Sequence, residues 1–171
     1  SNFAGTTGQG GNVEIKTGSL SGINGAQIRV NTAGNGNAGR IRISARETVS
    51  FDGVTADSPD QKRTSLDQRS GLVNRIIRGA EGDSGGIFIK TGSLFFSNGA
   101  QMQARVEGTG TSGGITIEAE DVVSFDGVSA EKFGDVNTTA AISSIEKGGA
   151  GQAGDITIRG ARSVQLTNGA S

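Results

Sequence analysis

The side chains best placed to do chemistry in this chain are carboxylates and guanidiniums. Glu118, Glu120 and Asp121 crowd one short stretch, and Arg40, Arg42 and Arg46 crowd another. Clusters of Asp, Glu, Lys and Arg on one face are what β-helical enzymes use to cleave polysaccharides. Acid–base work of that kind needs the groups to converge on one bond of the substrate. A period of two runs through both stretches, however, and turns these charges outward beside inward isoleucines. Opposite charges on successive strands also reduce the self-repulsion of a solvated face. The solvated face is the simpler reading, so no catalytic residue is assigned.

A second motif, G-x-G-x-x-G, occurs at Gly34-Gly36-Gly39, Gly108-Gly110-Gly113 and Gly149-Gly151-Gly154. A dinucleotide or phosphate site needs those glycines between a strand and a helix N-terminus, whose free amides hold the phosphates. Here each is followed by a strand-like run (IRIS, ITIE, ITIR), so the expected role is a tight turn and no nucleotide is bound.

Histidine and cysteine are absent, which excludes a Ser-His-Asp triad, a His-based or thiolate metal site and disulfides. Asp52 and Asp126 each precede a glycine; calcium needs several oxygen ligands at one point, and one Asp per corner serves turn geometry instead. The RTX-type GGxGxD nonapeptide is missing. No metal and no cofactor is therefore expected. Lysine and arginine total 16 against 17 acidic residues, so there is no basic excess for a nucleic-acid partner. One polar stretch carries Lys62, Arg63 and Arg69 with Asp57, Asp60 and Asp67; a mixed-sign loop keeps a protein soluble, and protruding loops also carry function. Asn137-Thr138-Thr139 matches a glycosylation sequon, read here as a chance match.

The two charged clusters sit in corresponding parts of a stretch that is written twice. Residues 13–54 and 87–128 align without a gap at a shift of about 74, with roughly half the positions identical, a fixed-period internal repeat. A truncated third copy starts at Ile156. Alternating runs begin at Val13/Ile15, Ile41/Ile43, Ile87/Ile89, Ile115/Ile117 and Ile156/Ile158, and each predicts a half-buried strand. A second strand follows each time. Its inward positions are Leu20, Val49, Leu94, Val123 and Val164, then Gly22, Phe51, Phe96, Phe125 and Leu166, which predict two internal ladders with Phe stacked on aliphatic groups. Asn24-Gly25, Asp52-Gly53, Asn98-Gly99, Asp126-Gly127 and Asn168-Gly169 then predict corners rather than hairpins, with buried asparagines bonding along the stack.

A third strand is expected at Ala26–Asn31 and Ala100–Val106, and after a delay at Leu72–Arg78 and Ala140–Ile145. The inward phase of the Leu72 strand is left open. The delays, 55–71 and 129–139, are polar and predict loops protruding from one corner. Gly-rich turns at Gly34–Gly39, Gly79–Gly85, Gly108–Gly113 and Gly148–Gly154 close each coil, and no stretch has a helical period.

Thirty glycines with a single proline and seven aromatic residues, all Phe, fit a thin core repeated many times better than a thick globular one. The expected fold is all-β: a right-handed parallel β-helix, or β-solenoid, of about five coils with three short strands each and loops in coils 2 and 4. Residues 1–171 are expected to be one such segment. No apolar run approaches the roughly 20 residues of a membrane helix. No signal peptide opens the chain, and both ends break into the repeat, as in an excerpt from a longer protein.

The blocks TGSLSGINGAQIRVNTAGNGNAGRIRI and TGSLFFSNGAQMQARVEGTGTSGGITI resemble the repeat region of large filamentous-haemagglutinin-like exoproteins, especially the cyanobacterial ones. The resemblance covers nearly the whole chain. It implies export by two-partner secretion through an outer-membrane β-barrel transporter, an extracellular or cell-surface location and a right-handed β-helix used as a shaft. It transfers no catalytic residues, and the family's secretion domain is not visible here. The expected function is a structural or adhesive segment without catalysis, with cell-surface glycans or proteins as possible contacts. The alternatives are a polysaccharide-active β-helix enzyme, which needs a groove of converging carboxylates, and a recognition module borne on the loops.

Overall fold

The computed structural model describes residues 7–55, 69–130 and 136–171. Alternating apolar and polar residues make strands, and the described residues run through eighteen of them: β1 (Val13–Thr17), β2 (Leu20–Ile23), β3 (Gln27–Thr32), β4 (Ile41–Ala45), β5 (Thr48–Asp52), β6 (Gly71–Ile76), β7 (Ile87–Thr91), β8 (Ser93–Ser97) and β9 (Gln101–Val106), then β10 (Thr109–Thr111), β11 (Ile115–Ala119), β12 (Val122–Asp126), β13 (Val128–Ala130), β14 (Val136–Thr138), β15 (Ala140–Ile145), β16 (Ala150–Gln152), β17 (Ile156–Arg159) and β18 (Ser163–Thr167). There is no helix among the described residues.

Three parallel sheets hold fourteen of these strands. Their strand orders are β1-β4-β7-β11-β17, β2-β5-β8-β12-β18 and β3-β6-β9-β15. Each strand pairs with the equivalent strand of the repeat unit before and after it, an arrangement compatible with a β-solenoid. Parallel neighbours need a long connection between them, which the other two strands and the turns supply in place of a helix.

In-register pairing turns sequence columns into side-chain columns. In the first sheet Ile15, Ile43, Ile89, Ile117 and Ile158 are successive partners. In the second, Gly22, Phe51, Phe96, Phe125 and Leu166 line up. The phenylalanines stack mainly on one another rather than on aliphatic groups: ring centroids are 5.2 Å apart for Phe51–Phe96 and 5.7 Å for Phe96–Phe125. Gly22 ends the column because a Cβ there would lie 2.5 Å from the Phe51 ring.

The third sheet settles the phase of β6. Leu72, Asn74 and Ile76 are all fully buried, and Leu72 follows Ile28 and precedes Met102 in one column. Asn74 is polar in an apolar column, yet its amide donates to the carbonyls of Gly39 (3.0 Å) and Gly86 (3.2 Å), tying the third sheet to the turns that lead into the first. Between the sheets lies a contiguous cluster that includes Ile43, Phe51, Leu72, Ile89, Phe96, Met102 and Ile117, with a small second one of Ile76, Ala80 and Val106 beside it.

The predicted corners divide into two kinds. Asn24, Asn98 and Asn168 take φ of 52–55° with a positive-φ glycine after each, whereas at Asp52 and Asp126 only the following glycine does so. The corner asparagines are exposed rather than buried. Asn98 still bonds along the stack to Asp52 Oδ1, and Asn168 to Asp126 Oδ1, both at 2.7 Å. After the Asp corners the chain leaves the stack. The second expected loop is not simply a loop at its base, since β13 and β14 form an antiparallel ladder from Val128↔Thr138 to Ala130↔Val136. The first has a matching antiparallel bridge, Val54↔Arg69, and its residues 56–68 lie outside the described ones.

Phe96 is 1% exposed and sandwiched between two rings. Phe96→Ala is expected to cost about 3–5 kcal/mol, because the column cannot close over the missing ring. Equilibrium urea unfolding of the variant against the parent chain measures it.

Candidate functional site

The charged residues of the sequence meet on the outer face of the first sheet. Period-two alternation leaves two outward columns on it. One runs Glu14, Arg42, Phe88, Thr116, Thr157 and the other Lys16, Ser44, Lys90, Glu118, Arg159. Arg40 and Arg46 flank β4, and Glu120 follows β11.

Between the two predicted clusters only Arg46 and Glu120, at the strand ends, line one groove together. β7 lies between the strands that carry the clusters, so Arg42 faces Phe88 across the pairing and stacks over its ring at 4.5 Å. Glu118 stands between Lys90 and Arg159 in its column. Asp121 is drawn to Arg162 at 3.4 Å, away from Glu118 and Glu120. Glu14 meets Lys16 at 3.0 Å. The Lys16 ammonium, by hydrogen bond and by charge, holds the Glu14 carboxyl below the usual range, with Arg42 and Arg40 adding to the effect.

Three shallow grooves lie end to end along this face. The first, about 310 Å³, runs from Asn12 and Glu14 past Arg40 and Arg42 to Ser44. The second, about 270 Å³, shares Ser44 and continues to Lys90, between Arg46 and Glu120. The third, about 300 Å³, shares Lys90 and Glu120 and ends at Arg159 and Gly160.

The G-x-G-x-x-G runs are stacked turns. Gly36, Gly82, Gly110 and Gly151 have φ of 135°, 141°, 147° and 131°, and each backbone lies against the corresponding turn of the repeat unit before it. A Cβ on Gly110 would sit 2.0 Å from the Gly82 carbonyl oxygen. The amides are already used: Gly36 N–H donates to Glu81 O at 2.8 Å and Gly82 N–H to Thr109 O at 3.0 Å. Amides bonded within the stack do not cradle a phosphate. Rather than bare turns, these segments form a further parallel ladder, with β10 paired to β16.

Asp52 and Asp126 are likewise occupied. Asp52 Oδ1 accepts from Ser97 and Asn98, and Asp126 Oδ1 accepts from Thr167 and Asn168. Among the described residues no group of three or more acidic side chains is placed to hold a metal. Of the first loop's charges, Asp57, Asp60, Lys62, Arg63 and Asp67 lie outside the described residues. Arg69 donates to Asn137 Oδ1 and to Gln101 Oε1, joining the base of one insertion to the other. Asn137 is 1% exposed and Thr139 fully buried, with the Thr139 hydroxyl bonded to Asp126 O, so the sequon residues are spent on packing.

Sequence reasoning missed an ion ladder on the outer face of the third sheet. Arg75 and Arg105 are direct partners, and they bond Glu107 (3.2 Å) and Glu146 (3.5 Å) respectively. The signal was available: Glu107 and Glu146 both follow directly on the last residue of a third-sheet strand.

No family model, curated protein or solved structure matches the chain.

Two outcomes follow. Gly110→Ala places a side chain both in a left-handed region and against a carbonyl, and is expected to cost about 3 kcal/mol or more, read by the shift of the thermal unfolding midpoint. For Asp126, the Thr167 and Asn168 hydrogen bonds hold the carboxyl below its usual 3.8. Those bonds are lost on unfolding, so the stability they contribute is complete above 3.8 and disappears as pH falls through the lower folded value. Asp126→Asn is expected to flatten the fall of the melting temperature below about pH 4. An unchanged acid limb would show that the corner bonds contribute nothing.

Proposed function

We propose that this chain is a structural segment, a length of shaft, in a large secreted or surface-attached exoprotein of the filamentous-haemagglutinin kind, and that it performs no catalysis. In this reading the stacked sheets form a right-handed β-helix of about five coils, with three strands per coil and loops on the second and fourth. The family assignment rests on the resemblance of the TGSL and NGAQ blocks. Export through an outer-membrane transporter and contact with cell-surface glycans or proteins come with it.

One observation carries the reading. Ile15, Ile43, Ile89, Ile117 and Ile158 are consecutive partners in a single sheet, so the chain advances along one axis without folding back. A stack in which each unit touches only its neighbours is extended by repetition, and length is what a shaft supplies. Support for the absence of catalysis is the placement of Arg42 on Phe88 and of Glu118 between two cations, which engages both groups with neighbours inside the sheet.

A second reading, recognition by the inserted loops, is favoured by the bond between Arg69 and Asn137, which makes one composite base of two insertions far apart in sequence.

Replacement of the segment, in the parent exoprotein, by an unrelated β-solenoid of equal length tests the shaft reading. Adhesion of cells displaying the parent is expected to survive the exchange and to fall when the segment is simply deleted. Loss of adhesion on exchange would contradict a spacer role and favour recognition by this segment itself.

A further inference from the structure

The outer face of the first sheet differs from the other two in its charge. The strands of the second sheet carry no Lys or Arg at all. On the third sheet Arg75 and Arg105 are neutralised by Glu107 and Glu146. The end-to-end grooves of the first sheet are lined by Lys16, Arg40, Arg42, Arg46, Lys90 and Arg159. Only three carboxylates line them: Glu14, Glu118 and Glu120. Among the described residues, Lys16 alone of the six cations has an ion-pair partner. Six cations against three carboxylates leave the trench net positive, and a net positive groove attracts a linear polyanion.

The spacing narrows the class. Lys16, Lys90 and Arg159 fall in one outward column, on the first, third and fifth strands of the sheet. Parallel strands lie about 4.8 Å apart, so these cations recur about every 9.6 Å over a trench of roughly 19 Å. A flat 1,4-linked sugar chain is about as long per ring as one strand spacing. If each ring carries a carboxylate, those on one side recur every second ring, in phase with the cations. Ser44 and Glu118 fill the intervening positions, where sugar hydroxyls would meet a hydroxyl and a carboxylate. A nucleic-acid strand would want aromatic platforms for its bases. The aromatic side chain on this face, Phe88, is covered by the Arg42 guanidinium, which leaves Arg42 held in place. The depressed Glu14 carboxyl is consistent with the positive surroundings.

We infer that the outer face of β1, β4, β7, β11 and β17 binds a linear 1,4-linked polyuronate laid along the stack, its carboxylates seated on Lys16, Lys90 and Arg159. The inference goes beyond the shaft reading, which needs only the stack and no ligand.

The test titrates the chain with β-1,4-linked oligoglucuronates, whose diequatorial linkages give the flat ribbon, of increasing length at low salt by calorimetry. The neutral 1,4-linked glucan and single-stranded DNA serve as comparison probes. Affinity is expected to rise with length until the oligomer spans Lys16 to Arg159 and then level off, to weaken with salt, and to be absent for the neutral glucan. Lys90→Ala is expected to weaken binding by about tenfold, since it removes the central charge-assisted contact. Arg78→Ala, an exposed cation outside the trench, is expected to leave it unchanged, with the circular dichroism and melting of both variants intact. No binding to the oligoglucuronate, equal or tighter binding to the DNA, or equal losses in the two variants would each overturn the inference. None of these outcomes bears on the shaft, whose own test reads adhesion after exchange.

Discussion

Backbone pairing between equivalent strands of successive repeat units is the constraint from which the rest follows. Parallel, in-register pairing sets every side chain between the same positions of the strands above and below, about 4.8 Å away on either side. A residue type is tolerated only if it accepts those two neighbours. Isoleucine on isoleucine and phenylalanine on phenylalanine do so by apolar burial. Charges do so by alternating sign, as Glu118 does between Lys90 and Arg159. Where like charges coincide, as at Arg75 and Arg105, carboxylates at the strand ends offset them.

The same constraint accounts for the composition. A stack is narrow, so its turns pass as close to one another as its strands do. At Gly36, Gly82, Gly110 and Gly151 the backbone of one turn fills the space a Cβ of the next would need. Glycine there is a packing requirement of the stack and has no bearing on phosphate. The narrow core also holds a polar residue where backbone carbonyls take up its donors, as those of Gly39 and Gly86 do for the Asn74 amide.

What the sequence revealed depended on whether a property was periodic. The two inward columns, the corners and the stacking of the first two sheets were legible because each recurs at a fixed position of the repeat; the register of the third, whose strands are delayed by the insertions, was not, and its phase came from the column Ile28–Leu72–Met102. The stacking of the Phe residues on aliphatic groups holds only where Phe125 meets Leu166, since the three rings are otherwise consecutive. Also hidden was what lies across strands rather than along them. The Arg42–Phe88 stack and the separation of the Arg cluster from Glu118 follow from β7 intervening between β4 and β11, which only the full strand order reveals. The insertions were visible as interruptions, but their antiparallel bases were not, because Val128–Ala130 and Val136–Thr138 are too short to carry a period.

A shaft needs an axis along which units add without folding back, and the outward charges are free to vary as long as the columns inside do not. The most direct measurement of that claim is a set of methyl–methyl nuclear Overhauser contacts among Ile15, Ile43, Ile89 and Ile117 in selectively labelled protein. Contacts between consecutive members of the series, with none between Ile15 and Ile117, are the predicted result. Direct Ile15–Ile117 proximity, or Hα–Hα contacts across the Asn24-Gly25 or Asn98-Gly99 corners of the kind antiparallel hairpins give, would contradict it.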